Sequence, residues 1–206
     1  MIMEARKAWN LEYKRKREVW RQRFTEFFPD RTFTGKAVLE LGVGNGKTLQ
    51  KILLQNPARV SAVDFSPVAI RLCKEKFKNT EFFEASACGL PFKGGEFDIV
   101  VCFHTLGHLL KPERKKAVKE IKRVLKKGGN VLFEDFAVGD FRFGKGKKIE
   151  DNTFKRGNGI TYHYFTASEV KRLFGMKGKV ELVEKSLKLA GKKVKRKEIK
   201  AELFKV

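Results

Sequence analysis

The chain of 206 residues carries 46 basic and 24 acidic side chains, a formal net charge of +22, and 42% hydrophobic residues. That length suffices for one packed α/β core and leaves little room for a second independent domain. No run of 18 apolar residues is present, which excludes a membrane-spanning helix. The charged N-terminus lacks a secretory apolar core, and Cys73, Cys88 and Cys102 have no C-x-x-C spacing, so a cytoplasmic protein with reduced thiols is expected.

In chain order, Glu4 to Phe28 reads as a helical or helix-kink-helix segment, with Trp9, Tyr13, Trp20, Phe24 and Phe27 near helical spacing. Val38 to Leu41 reads as a buried strand running into the glycine turn of Gly42, Gly44 and Gly46, which opens a helix. Such a turn brings a ligand close to bare backbone at a helix N-terminus. A phosphate-binding G-x-x-x-x-G-K-[ST] loop would need glycine at Leu41, and a dinucleotide G-x-G-x-x-G fingerprint would need it at Lys47, so spacing excludes both. Arg59 to Asp64 is a second apolar strand ending in an acid, about 20 residues past the glycines, where a carboxylate can accept from ribose hydroxyls. Val68 to Phe77 has helical spacing, Thr80 to Ala85 reads as a third strand, and Glu96 to Cys102 as a fourth. Ile121 onward gives a helix, a Gly128-Gly129 turn and a fifth strand.

Beyond it, Val138 to Tyr164 reads as a long connection rich in Gly, Lys and Arg with interleaved aromatics: Phe141, Phe143, Phe154, Tyr162, Tyr164, and Phe165 just after it. Exposed aromatics among basic side chains would suit stacked single-stranded bases. Thr166 and Glu169 have the spacing of a helix capping box. Val180 to Leu189 and Ile199 to Val206 read as an antiparallel pair, with Lys192 to Lys197 in the hairpin tip between them. Residues 111–206 hold 28 basic and 12 acidic side chains, +16 of the total, which is the footprint of a polyanion such as RNA. Lysine enrichment from thermal adaptation is the alternative, though it ordinarily raises both signs.

The ordered elements acidic-x-G-x-G-x-G from Glu40, Asp64, Ser86 to Phe92, F-D-x-V from Phe97 and the Gly128-Gly129 turn resemble the class I S-adenosylmethionine-dependent methyltransferases. The resemblance implies an α/β, Rossmann-like, seven-stranded, mostly parallel sheet with helices on both faces and the last strand antiparallel. It implies a single methyltransferase domain over 1–206: a helical lid over 1–33, a cofactor-binding half over 34–138, and a substrate-side loop and hairpin over 139–206. S-Adenosylmethionine would be held by Glu40, Gly42, Gly44, Gly46, Asp64, Phe65, Ser86, Ala87 and Phe103, with no metal. Ser86 stands where the family usually has an Asp for the adenine amino group. The Trp9 and Tyr13 arm looks like the lid of many relatives; docking the helix on the sheet is the other reading. Gly44 to Lys47 and Tyr162 to Phe165 are further similar to the tRNA wobble-uridine carboxymethyl methyltransferases, for which the acceptor is a carboxylate.

The residues after the fourth strand, Phe103-His104-Thr105-Leu106, replace the proline-aromatic turn that holds exocyclic base amines, so such an amine is a less favoured acceptor. His104 and His108 flank the place of methyl transfer, where a neutral imidazole could take a proton or orient a carboxylate, or could simply pack. Cys102 ends a buried strand and reads as core rather than nucleophile. The expected acceptor is RNA, tRNA among them. A small anionic metabolite is the alternative, and a non-catalytic RNA-binding protein that kept the fold is the rival of another class. Protein lysine methylation is neither supported nor excluded.

Overall fold

The computed structural model describes residues 2–15, 32–189 and 191–206. Helix α1 spans Ile2–Arg15; the expected positions Trp20, Phe24 and Phe27 of the N-terminal stripe lie outside the described residues. Five strands follow: β1 (Ala37–Leu41), β2 (Arg59–Asp64), β3 (Glu81–Glu84), β4 (Phe97–Phe103) and β5 (Leu125–Phe136). They alternate with α2 (Lys47–Leu53), α3 (Pro67–Lys76) and α4 (Lys111–Val124). A small antiparallel sheet of β6 (Lys147–Glu150), β7 (Thr153–Lys155) and β8 (Thr161–His163) precedes α5 (Ala167–Phe174). The hairpin β9 (Lys177–Leu189) and β10 (Lys192–Phe204) completes the main sheet.

Strand order in that sheet is β3-β2-β1-β4-β5-β10-β9, parallel from β3 to β5, with β10 antiparallel to both its neighbours. This is the expected seven-stranded arrangement. The inner strands read as near-continuous apolar runs because helices cover both of their faces. Leu39, Leu41 and Val100 pack with Ile121 of α4 and Phe174 of α5, while Val38, Ala62 and Val101 pack with Leu49 and Ile52 of α2 and Ile70 and Cys73 of α3. The chain crosses from β1 outward to β2 and β3, then back past β1 to β4. That reversal opens a crevice at the carboxyl ends of β1, β2 and β4, where open α/β sheets bind ligands.

Local chemistry sets the helix starts. Ser66 Oγ accepts from the Ala69 amide ahead of Pro67 at the first position of α3. Thr166 Oγ1 accepts from the Glu169 amide, the expected half of the capping box, but the Glu169 carboxylate goes instead to His163 Nε2 at 2.9 and 3.0 Å. Gly128 and Gly129 do not form a turn ahead of β5. They sit inside it, Gly128 at φ 75° and donating to the Lys205 carbonyl, so the strand begins at Leu125 and carries an irregularity where five of its residues pass two of β4.

The hairpin also departs from expectation. Lys192 to Lys197 lies in β10, paired with β9 from Lys192↔Leu189 onward, because Gly191 makes a tight turn at φ 78°. Strand alternation then sends Ile199, Ala201 and Leu203 into the core and Arg196, Glu198 and Lys200 to the other face. No helix of the described residues is long and apolar enough to cross a membrane.

Candidate active site

The turn after β1 is pinned to β2 by its own backbone: the Gly42 and Val43 amides both donate to the Val63 carbonyl, at 2.7 and 3.1 Å. Gly42 sits at φ 72°, and a Cβ there would fall 2.3 Å from Thr105 Oγ1, which hydrogen-bonds the Leu41 carbonyl. Asp64 closes the crevice from β2, its carboxylate accepting from the Gly44 and Ser66 amides at 2.9 Å each. Burial pushes Asp64 up to about 6 against those hydrogen bonds. Glu40 is buried beside it, held well above the carboxylate range by burial and then by the Asp64 charge. Glu40 Oε2 has no hydrogen-bond partner among the described residues. An orphaned buried acceptor beside a second carboxylate fits a cationic ammonium or sulfonium group, the charge carried by S-adenosylmethionine.

Two cavities adjoin this turn. The first, of 220 Å³, is lined by Gly42, Asp64, Phe65, Ser86 and Ala87, under Trp9 and Tyr13 of α1. Ser86 Oγ accepts from the Cys88 amide there. The second, of 460 Å³, is lined by Glu40, Gly44, Phe103, Glu134, Phe136, Tyr162, Lys185, Arg196 and Glu198. Trp9, Tyr13, Gly42, His104 and His108 line both. Trp9 and Tyr13 stack at 5.4 Å, and Ala8, Trp9 and Tyr13 also pack on Val68 and Ala69 of α3 and on Ile160. The aromatic arm therefore both docks the helix and roofs the crevice.

The two histidines occupy opposite charge states. His104 follows β4 in the left-handed region, at φ 48°, its amide donating to the Glu134 carbonyl. Its Nε2 lies 3.3 Å from Glu134 Oε1 and its Nδ1 3.7 Å from Asp135 Oδ1. Burial alone would lower the imidazole, but the Asp135 and Glu134 carboxylates outweigh it and bring His104 to about 9. It is an imidazolium at neutral pH, which corrects the expected neutral ring at this position. Burial would raise Glu134, but His104 and Lys200, whose Nζ is 3.1 Å from Oε2, hold it at about 2. His108 is lowered by burial and is neutral. Its Nδ1 stands 2.7 Å from the Thr161 carbonyl, which can only accept, so Nδ1 carries the proton and Nε2 the lone pair. Trp9 and Tyr162 pack edge-on to the ring, 4.7 and 5.0 Å away.

Other expected site residues fall elsewhere. Gly46 lines neither cavity; it caps α2 at φ 79°, and its missing Cβ makes room for the Phe77 ring and Cys73 Sγ. Cys102 is fully buried and its thiol is pushed far up by burial, in keeping with a core role. The aromatics of the long connection are mostly inside. Phe154 and Tyr164 form a small core with Phe136, and Phe165 joins the main one, so only Tyr162 of this group reaches the crevice. The expected exposed stacking platform is absent among the described residues because three short strands gather these rings inward.

The polar face of the β5 and β10 pair is the part of the site that sequence reasoning missed. Arg196 Nε lies 2.9 Å from Asp140 Oδ2, Arg196 Nη1 lies 3.4 Å from Glu198 Oε1, and Arg142 lies 3.9 Å over the Phe136 ring. The signal is Arg196, Glu198 and Lys200 alternating with Ile199, Ala201 and Leu203. It becomes legible only once the strand is known to begin at Lys192, well before the apolar positions that mark it.

Residues 38–129 match a family model described as a methyltransferase domain. The chain is 31% identical over 183 residues to the tRNA N(3)-cytidine methyltransferase METTL2B of Homo sapiens, covering 79% of this chain and 47% of that protein. It is 29% identical over 208 residues to the tRNA N(3)-cytidine methyltransferase METTL6 of Pongo abelii, covering 87% and 71%. The chain thus spans about half the length of the first of these relatives. Among solved structures, a Burkholderia thailandensis 1,6-didemethyltoxoflavin-N1-methyltransferase with S-adenosylhomocysteine superposes with a TM-score of 0.71 at 18% identity, over 98% of this chain and 88% of that one. By its sheet order, its ordered glycine and acid motifs and its family match, the chain belongs to the class I S-adenosylmethionine-dependent methyltransferases.

Proposed function

We propose that this protein methylates tRNA at N3 of a cytidine, with S-adenosylmethionine as donor. The observation that carries the reading is the junction of the two cavities at Gly42, His104 and His108. The first has Asp64, Ser86 and Ala87, suited to the ribose and adenine, and the second has Glu40 and Gly44, suited to the methionine part, and is walled beyond them by the rings of Phe136 and Tyr162 and by charges of both signs. Glu40, Gly42 and Gly44 would hold the methionine part, Asp64 the ribose and Ser86 with Ala87 the adenine, under α1 as lid. When bound, the cofactor supplies a methyl group on a positively charged sulfur, so transfer to a ring nitrogen moves positive charge onto the base and releases no proton.

The residues of the second cavity suit that acceptor. Tyr162 and His108 offer aromatic rings to a flat base, with Phe136 behind them under His104 and Arg142. The Glu134 and Glu198 carboxylates can accept from an amino group and favour the developing positive charge, while Lys185 and Arg196 can donate to a carbonyl oxygen. A protonated His104 takes no proton, which fits an acceptor nitrogen with none to lose. The relatives named for tRNA N(3)-cytidine support this acceptor over the carboxylate of a modified uridine. The +16 charge of residues 111–206 supports a polyanion.

The test is incubation with methyl-labelled S-adenosylmethionine and tRNA, followed by nucleoside digestion, with Asp64→Ala as control. Label in 3-methylcytidine that disappears with Asp64→Ala is the expected result. Label in another nucleoside would overturn the cytidine assignment, and label confined to small molecules would overturn RNA altogether.

A further inference from the structure

The hairpin of β9 and β10 runs past the end of the sheet. β5 pairs with β10 only from Phe136↔Glu198 onward, whereas β9 and β10 stay paired back to Leu189↔Lys192. Six residues of each strand therefore form a two-stranded ribbon of about 20 Å beyond the carboxyl end of β5, the end at which the crevice opens. The 137–141 segment backs its base, where the Ala137 and Phe141 amides donate to the Lys197 and Lys195 carbonyls; among the described residues no such backbone bond reaches its outer part.

The two faces of this ribbon differ. Lys185 lies opposite Arg196, Leu187 opposite Val194 and Leu189 opposite Lys192, and Lys185, Leu187 and Leu189 line the second cavity. The other face brings Lys188, which also lines that cavity, opposite Lys193, then Lys195 and Lys197 with Glu184 opposite the last. Among the described residues, ion pairs join Lys185 to Glu198 and Lys197 to Glu184, and none takes up Lys188, Lys192, Lys193 or Lys195, all exposed. Two like charges directly opposite destabilise a strand pair, so a cluster of this kind, whose basic side chains outnumber the neighbouring Glu184 carboxylate, favours binding a polyanion.

We infer that the overhanging end of the β9 and β10 hairpin is an RNA-docking arm, whose Lys193 and Lys195 on the outer face and Lys192 at the tip engage backbone phosphates beside the acceptor base while Leu187 and Leu189 on the inner face cover the cavity. This rests on the reading of the substrate as RNA and adds where the RNA is gripped. Phosphate contacts fix register without reading sequence, so the arm sets how a strand is presented rather than which base is chosen.

The experiment compares the full chain with the triple variant Lys192→Gln, Lys193→Gln, Lys195→Gln and with an equal charge loss on α4, Lys115→Gln, Lys116→Gln, Lys119→Gln. Affinity for S-adenosylhomocysteine reports folding of each variant, and tRNA binding is followed by fluorescence anisotropy across salt concentrations beside methylation kinetics. The hairpin variant is expected to lose about 2 to 3 from the slope of log affinity against log salt and to raise KM for tRNA roughly tenfold, with the α4 variant losing much less. Equal losses in both variants would show a general charge effect and overturn the arm. Unchanged tRNA affinity in the hairpin variant would also overturn it, whatever acidic protein the hairpin then proves to bind. A wild-type chain that binds no tRNA would instead overturn the RNA reading itself, and the arm with it.

Discussion

His104 and Glu134 hold each other charged, with His104 Nε2 3.3 Å from Glu134 Oε1 while Glu134 Oε2 meets Lys200 Nζ at 3.1 Å. Glu134 and Lys200 are each 7% exposed, so their charges depend on one another and on His104. Glu134→Gln removes the carboxylate charge 3.1 Å from the buried Lys200 ammonium and breaks a buried ion pair, at a cost of up to about 3 to 5 kcal/mol. The same change removes a carboxylate holding His104 at about 9, so the imidazole should titrate lower. Thermal unfolding and the His104 ring resonances report the two effects separately. The paired change Glu134→Leu with Lys200→Met removes both charges and should cost less than Glu134→Gln alone.

Asp64 gives two pH dependences of opposite sign. Its pKa of about 6 in the folded chain exceeds the ordinary 3.8, so the folded state holds the proton more tightly. The stability it contributes is full below pH 4 and is lost as pH rises to about 6, an effect of about 2 to 3 kcal/mol. Cofactor binding should run the other way, because the ionised carboxylate is the better acceptor for ribose hydroxyls. Calorimetry with S-adenosylhomocysteine should show affinity falling as pH drops below about 6, by close to tenfold per unit, and Asp64→Asn should flatten that dependence. An affinity in the wild type that is level from pH 5 to 8 would remove Asp64 from the cofactor contact.

The three motif glycines separate by what their missing Cβ makes room for. Gly46→Ala drives a methyl to 2.3 Å from the Phe77 ring, and Gly44→Ala brings one to 3.1 Å from the Tyr13 hydroxyl. Both also strain a positive φ, at about 1 kcal/mol each. Gly46→Ala should therefore lower the melting temperature more, with the folded protein still binding S-adenosylhomocysteine. Gly44→Ala should weaken that binding at least tenfold with a smaller loss of stability. The reverse pattern would move the cofactor from Gly44 to the helix cap.

The parallel half of the sheet is readable in the sequence because β1 and β2 are short apolar runs ending in a glycine turn and an acid, and Asp64 lies where β2 predicts. Asp64 also shows what a motif omits: its hydrogen bonds to the Gly44 and Ser66 amides belong to no linear spacing. The substrate side is hidden for a different reason. Glu134, Arg196 and Lys200 are charged residues on a buried face, and sequence patterning assigns charge to solvent unless their partners are known. Phe154 and Tyr164 read as exposed because the small three-stranded sheet in and beside which they pack is built from strands of three or four residues, too short for alternation to register.

His108 supplies the sharpest test of the acceptor's chemistry. Its neutral Nε2, aimed by the bond from Nδ1–H to the Thr161 carbonyl, is the one imidazole lone pair available among the described residues lining both cavities, since His104 is protonated. A ring nitrogen has no proton to give up, so His108→Gln should cost only the packing against Trp9 and Tyr162, about tenfold or less in kcat, and should leave the shape of the pH–rate profile below about pH 6.5, where a lowered imidazole titrates, unchanged. An acceptor hydroxyl would need that lone pair in the transition state, and His108→Gln would then lower kcat by about 100-fold to 10,000-fold and remove the limb of the profile that follows imidazole deprotonation. Single-turnover rates over that pH range, with tRNA as acceptor, distinguish positioning from proton transfer at this one side chain.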